Sequence, residues 1–167
     1  MDAALLKQLN GIFGPPARRA AALASALKQK GVPASRGWYA NHSVRVDGRW
    51  QTEEFAIPLV EVGGLGDVGF DLDGVWLELR LPREKALTFD YAALPAPFEV
   101  YGLEDYLTDF YHEGMDPAEL SRRIAESGER EIGAALSFPA DIPAEELAAV
   151  VLNFIKEDKP NGLQTNL

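Results

Sequence analysis

The chain has 167 residues, 47% apolar and 25% charged, a balance that suits a globular domain and excludes a disordered or fibrous chain. It contains no cysteine, which removes disulfides, thiolate metal centres, iron–sulfur clusters and cysteine nucleophiles by inventory. The net charge of −10 is split: residues 1–50 carry eight Lys and Arg against Asp2 and Asp47, whereas the remainder carries 8 basic and 24 acidic side chains.

The first nine residues include acidic Asp2 and only a short apolar stretch, unlike a secretory signal, and no window approaches the length of a membrane span. The expected location is the cytoplasm. Residues 2–13 and 17–30 read as two helices, broken at Gly14-Pro15-Pro16 and closed by Gly31 and Pro33. Leu5, Leu6, Leu9, Ile12 and Phe13 recur at helical spacing and give the first helix one apolar face. The second is Ala-rich, with Ala20, Leu23, Ala24 and Leu27 suited to close packing.

From Trp38 the period becomes two, and two Asp-Gly dipeptides flanked by strand-like runs mark hairpins. A two-residue turn at Asp47-Gly48 pairs Val46 with Arg49 and Val44 with Gln51, and continues outward to set His42 across from Glu53. The same turn at Asp73-Gly74 pairs Leu72 with Val75 and Phe70 with Leu77. Val68, Phe70, Leu72, Val75, Leu77 and Leu79 then share one face, and Asp71, Trp76, Glu78 and Arg80 the other. Pro58 predicts an edge or a bulge in the strand over 55–62, and a further strand is expected over 86–91.

After Pro95-Ala96-Pro97 the apolar residues Leu103, Tyr106, Leu107, Phe110 and Tyr111 form a helical stripe ending at Gly114. Asp116-Pro117-Ala118-Glu119 carries the signals of a helix start, with Met115 and Leu120 placed as a hydrophobic staple, and this helix runs to Gly128. A short strand over 132–138 and a helix over 143–156 follow, and residues 160–167 read as a flexible C-terminal tail. The expected architecture is a single α+β domain over 1–159: an N-terminal helical hairpin, an antiparallel β-meander of about five strands, then C-terminal helices with one further short strand.

Three motifs have the spacing of known sites. Gly64-Leu65-Gly66-Asp67-Val68-Gly69 has the glycines of a dinucleotide fingerprint, but Gly69 leads into a hairpin where phosphate binding needs a helix N-terminus. Asp71-Leu72-Asp73-Gly74 has the centre of a calcium loop, but that alignment puts Gly69 and Arg80 where carboxylates are required. Asp105, Asp109 and His112 follow i, i+4, i+7 spacing, a weak metal candidate because three helical turns span about 10 Å. No cofactor is called for.

His42 and Glu53 are weak catalytic candidates, an imidazole beside a carboxylate, with a structural cross-strand pair as the simpler account. Trp50 and Trp76 fall on the more polar faces of their hairpins and, with the basic Arg18 and Arg19, mark a candidate contact surface. The acidic body argues against nucleic acid as the partner. The expected function is a non-enzymatic cytoplasmic protein-interaction module, regulatory or chaperone-like, with a protein partner or a homodimer and no membrane. The alternative is a small-ligand-binding protein or enzyme with a pocket near His42 and Glu53.

Overall fold

A computed structural model of the chain describes residues 2–46, 49–104, 108–112 and 114–157; side chains of residues 6, 9, 10, 39–46, 49–56 and 157 lie outside that description. The fold is α+β. Helix α1 (Ala3–Gln29) leads into strands β1 (Ala34–Val46), β2 (Arg49–Val62), β3 (Gly66–Phe70) and β4 (Gly74–Pro82). Then come the single-turn helix α2 (Arg83–Ala86), a 3-10 turn (Tyr91–Ala93), β5 (Phe98–Gly102), helix α3 (Pro117–Ser127), β6 (Glu131–Pro139) and helix α4 (Ala144–Glu157). The six strands form one antiparallel sheet in the order β1-β2-β3-β4-β6-β5.

One face of this sheet builds the core. Val60, Val68, Leu77, Leu79 and Leu136 are buried together with Leu23 and Leu27 of α1, Ile124 of α3 and Leu147 and Val151 of α4. The helices therefore lie over one face, and the alternation of the strands leaves the more polar residues on the other.

The expected helical hairpin is one continuous helix. Pro15 and Pro16 lie inside α1, where they remove the bonds to the carbonyls of Gly11 and Ile12. Both of those residues are exposed, so water can satisfy the freed acceptors and the helix continues. The prolines coincide with a change of environment: every described side chain from Asp2 to Phe13 is exposed, and Pro16 is the first buried one. The Asp2 side chain caps the helix by accepting from Ala4 N at 3.1 Å.

The first hairpin has the expected register, Val46 opposite Arg49, Val44 opposite Gln51 and His42 opposite Glu53. A register shift between Tyr39 and Asn41 places one residue of β1 against two of β2 just before Pro58, the bulge that proline calls for. In the second hairpin Phe70 pairs with Val75 and Val68 with Leu77, two residues away from expectation. Asp71 N donates to Gly74 O at 3.0 Å, so the turn falls on Leu72-Asp73, one residue earlier than Asp73-Gly74. A shift of two preserves the faces, and its cost falls on Leu72, which is expected in the core and is 48% exposed.

Two further expectations fail. Residues 86–91 are not a strand: β4 is instead flanked by β6, so the sheet edge they were to occupy is already taken. That segment runs from the end of α2 to the start of the 3-10 turn, held by a row of rings in which Phe89 meets Tyr91 edge-on at 5.0 Å and Phe154 of α4 at 6.4 Å. The helical stripe from Leu103 is not a helix among the described residues. Tyr101 and Gly102 belong to β5, and Gly102 N donates to Thr108 O at 3.0 Å while Phe110 N donates to Val100 O at 2.8 Å, which folds the chain back along β5. Phe110 reaches the core and Tyr111 packs against it, while Tyr106 and Leu107 lie outside the described residues. Helix α3 follows expectation: Asp116 accepts from Ala118 N at 2.8 Å, Pro117 opens the helix and Gly128 closes it at φ 78°. The expected tail over 160–167 lies outside the described residues.

Candidate interaction surfaces

Two elements extend past the packed body. The first is the outer half of α1, residues 3–15, about 20 Å long at 1.5 Å per residue. Among the described residues its large apolar side chains face solvent: Leu5 is 47% exposed, Ile12 50% and Phe13 37%. Apolar groups at helical spacing without a covering element are the usual mark of a contact surface. The inner half is anchored by Arg19, whose guanidinium donates to the carbonyl of Ala140 and, at 3.2 Å, to that of Asp71. Arg19 thus ties α1 to the β3–β4 and β6–α4 loops, whereas Arg18 is exposed.

The second element is the far part of the β1–β2 hairpin. Strand β3 pairs with β2 only over Leu59 to Val62, so residues 38–46 and 49–58 continue as a two-stranded arm. Trp38, at the root of the arm, is 58% exposed. His42 and Glu53 are Cα partners within the arm; their side chains, and that of Trp50, lie outside the described residues.

The outer face of the sheet carries Trp76. The indole of Trp76 is half-buried and lies across Gly69 of β3, and the ring of Tyr101 lies in the same way across Gly133 of β6. Between these rings Glu78 accepts from the Tyr101 hydroxyl and faces Arg80 Nε at 3.6 Å, while Arg80 also bonds Asp67. The glycines of the Gly64 to Gly69 run are accounted for locally: Gly64 turns at φ 77°, Gly66 sits at φ 150° against Glu78 O, and Gly69 makes room for Trp76. A strand follows them, so no helix N-terminus is available for phosphate.

The Asp105, Asp109 and His112 set is not assembled on a helix. Asp105 lies outside the described residues, Asp109 bridges to Tyr101 and accepts from Tyr111 N at 3.2 Å, and His112 is exposed. Among the described residues no group of three or more His, Cys, Asp or Glu is placed to hold a metal, and no helix is long and apolar enough to cross a membrane.

Two features of the packed molecule have no local signature in the sequence. Glu129 is buried, its carboxylate accepting from Glu104 N at 3.1 Å and filling the space beside Gly102, so it closes the loop after β5. A cavity of about 460 Å³ opens between Leu65, Leu79 and Leu81 of the β3–β4 region, Phe89 and Leu94, and Phe154 of α4, with Lys85, Asp90 and Asn153 among its polar lining. None of its lining comes from the arm that carries His42 and Glu53. Only the tertiary arrangement brings these segments together, and no local motif announces them.

No family model matches the chain, and no curated protein shows significant similarity. Among solved structures the chain is similar to a conserved hypothetical protein from Pyrococcus furiosus, at 24% identity and a TM-score of 0.73, over 90% of this chain and 95% of that one. At that identity the likeness shows a shared fold.

Proposed function

We propose that this protein is a non-enzymatic, cytoplasmic protein-interaction module that engages its partner through the outer half of α1. The observation that carries this reading is the exposure of Leu5, Ile12 and Phe13 on a helix whose other half is anchored in the core. The β1–β2 arm and the aromatic outer face of the sheet are further candidate contact areas. The chain's acidity keeps the rest of the surface from nonspecific association. Placing a photo-crosslinking residue at position 12 in cells tests the reading. A discrete covalent adduct that disappears in a Leu5→Glu, Phe13→Glu background supports it, and the absence of any adduct refutes it.

A second reading, binding of a small apolar ligand, draws on the cavity beside Phe89 and Phe154. A thermal-shift screen with apolar and amphipathic compounds, compared between the native chain and Ala93→Trp to fill the cavity, checks it. A ligand that stabilises both equally binds elsewhere.

A further inference from the structure

The two halves of α1 are joined by fewer hydrogen bonds than a continuous helix supplies. Such a helix links residues 11–14 to the next turn by bonds from the N–H groups of residues 15–18 to the carbonyls four places earlier. Pro15 and Pro16 have no N–H, so only those of Ala17 and Arg18 remain to reach the carbonyls of Phe13 and Gly14. The inner half loses nothing by this. Proline is favoured in the first turn of a helix, where the N–H it lacks would have no partner, so Pro15-Pro16 can open a helix of its own. Beyond Pro16 the burial of Ala20, Leu23, Ala24 and Leu27 holds that helix to the body.

The outer half has no such support. Every described side chain from Asp2 to Phe13 is exposed, so uncoiling the segment breaks no apolar packing among them. Asp2 caps the start and the residues from Ala3 to Leu9 are good helix formers. That stretch is about two turns long, however, and helices shorter than about 12 residues are marginal in water because the first turn is costly to nucleate. Propagation from the inner half has to pass Asn10, Gly11 and Gly14, all poor helix formers, as well as the two prolines.

On the reading of the outer half of α1 as the contact surface, we infer that residues 3–14 are a separate folding unit, in helix–coil exchange about Gly14-Pro15-Pro16 while the body stays folded, and that the partner binds the helical form. Binding then completes the fold of α1. Leu5, Ile12 and Phe13 come to one side only in the helix, since helical spacing is what aligns them. In the coil they are dispersed, and no standing apolar patch is left open to nonspecific association. The apparent affinity is lowered by the helical fraction of the free chain, and whatever raises that fraction raises the affinity in proportion.

Amide hydrogen exchange on the full chain, read residue by residue by NMR, tests the folding unit. The amides of residues 7–14 are expected to exchange within about tenfold of the unfolded-chain rate, and those of Leu23 and Leu27 at least about a thousandfold slower. Slower exchange over 7–14 than that limit overturns the inference. Gly11→Ala adds a methyl where nothing lies within 4 Å, and Pro15→Ala with Pro16→Ala restores the two missing bonds. The triple variant is expected to slow exchange over 7–14 at least about tenfold, and an unchanged rate there also overturns the inference. The photo-crosslinker at position 12 gives the second readout. At equal expression in cells the triple variant is expected to yield at least about threefold more adduct than the native chain, because more of it is helical. An equal or smaller yield overturns the coupling of folding to binding. Slow exchange in the native chain together with an adduct overturns this inference and leaves the interaction module. No adduct from either chain overturns the interaction module and, with it, the coupling.

Discussion

The indole of Trp76 occupies the space in which a side chain on Gly69 would stand: a Cβ built there lies 2.0 Å from Trp76 Cε2. An aromatic ring laid over a glycine of the neighbouring strand buries the ring on an otherwise polar sheet face and shields the glycine backbone. Gly69→Ala is therefore expected to expel the indole, with a cost of about 1–3 kcal/mol for overpacking. With Trp38 and Trp50 replaced by Phe, the remaining fluorescence should shift to the red in Gly69→Ala. An unchanged spectrum and midpoint would mean that the ring does not rest there.

Tyr91 is a second buried ring whose polar end is fixed, its hydroxyl donating to Ala86 O at 3.1 Å. Burial pushes its pKa well above the ordinary tyrosine range. The folded state then holds this proton more tightly than the unfolded chain does. Its contribution is complete below a pH of about 10 and is lost as pH rises beyond that. A Tyr91→Phe variant should be less stable than wild type at neutral pH by about 1 kcal/mol, for the lost bond. The gap should narrow in strong alkali, as measured by urea denaturation at a series of pH values.

On the exposed side of α3, Glu119 accepts from Arg122 at 2.7 Å and from Arg123 at 3.1 Å. Hydrogen bonding to Arg122, and then to Arg123, lowers its pKa to about 2. A carboxylate depressed in the folded state stabilises it above the unfolded pKa of about 4.3 and loses that contribution as pH falls toward 2. Glu119→Gln should therefore differ from wild type at pH 6 and converge with it near pH 2. Solvent screening keeps the effect small, and added salt should reduce it further.

Arg19 joins α1 to two loops far apart in sequence, accepting partners being the carbonyls of Ala140 and Asp71. Arg19→Ala leaves two carbonyls without their charged donor and is expected to cost about 1.5–3 kcal/mol. Arg18→Ala, exposed on the same helix, should fall within about 0.5 kcal/mol of wild type. Thermal denaturation of the two variants side by side checks the difference.

Local signals carried far where one geometry satisfied them. The period of two carries the expected register through every pair from Val46 and Arg49 out to His42 and Glu53, while Asp47 and Gly48 themselves lie outside the described residues. Asp116-Pro117 starts a helix because a capping carboxylate and a proline at the first turn serve nothing else as well. The faces of β3 and β4 were legible for the same reason, and survived a register error of two because side chains alternate with period two. The site was less legible. The apolar stripe on α1 was visible in the sequence, but not that the body would leave Leu5, Ile12 and Phe13 uncovered.

Composition and pattern by themselves determined the α+β class, the absence of any thiol chemistry, the register of β1 against β2 and the amphipathic face at the start of α1. Tertiary structure alone decided that Pro15 and Pro16 lie within one helix, because exposure of the Gly11 and Ile12 carbonyls is a property of the packed molecule. It also decided that β6 enters beside β4, so that residues 86–91 become a link between α2 and the 3-10 turn in place of an expected strand, and that Phe89 meets Phe154 beside the cavity. Periodicity reports which face of a segment is apolar; what that face meets depends on residues distant in the chain, and no local propensity encodes them.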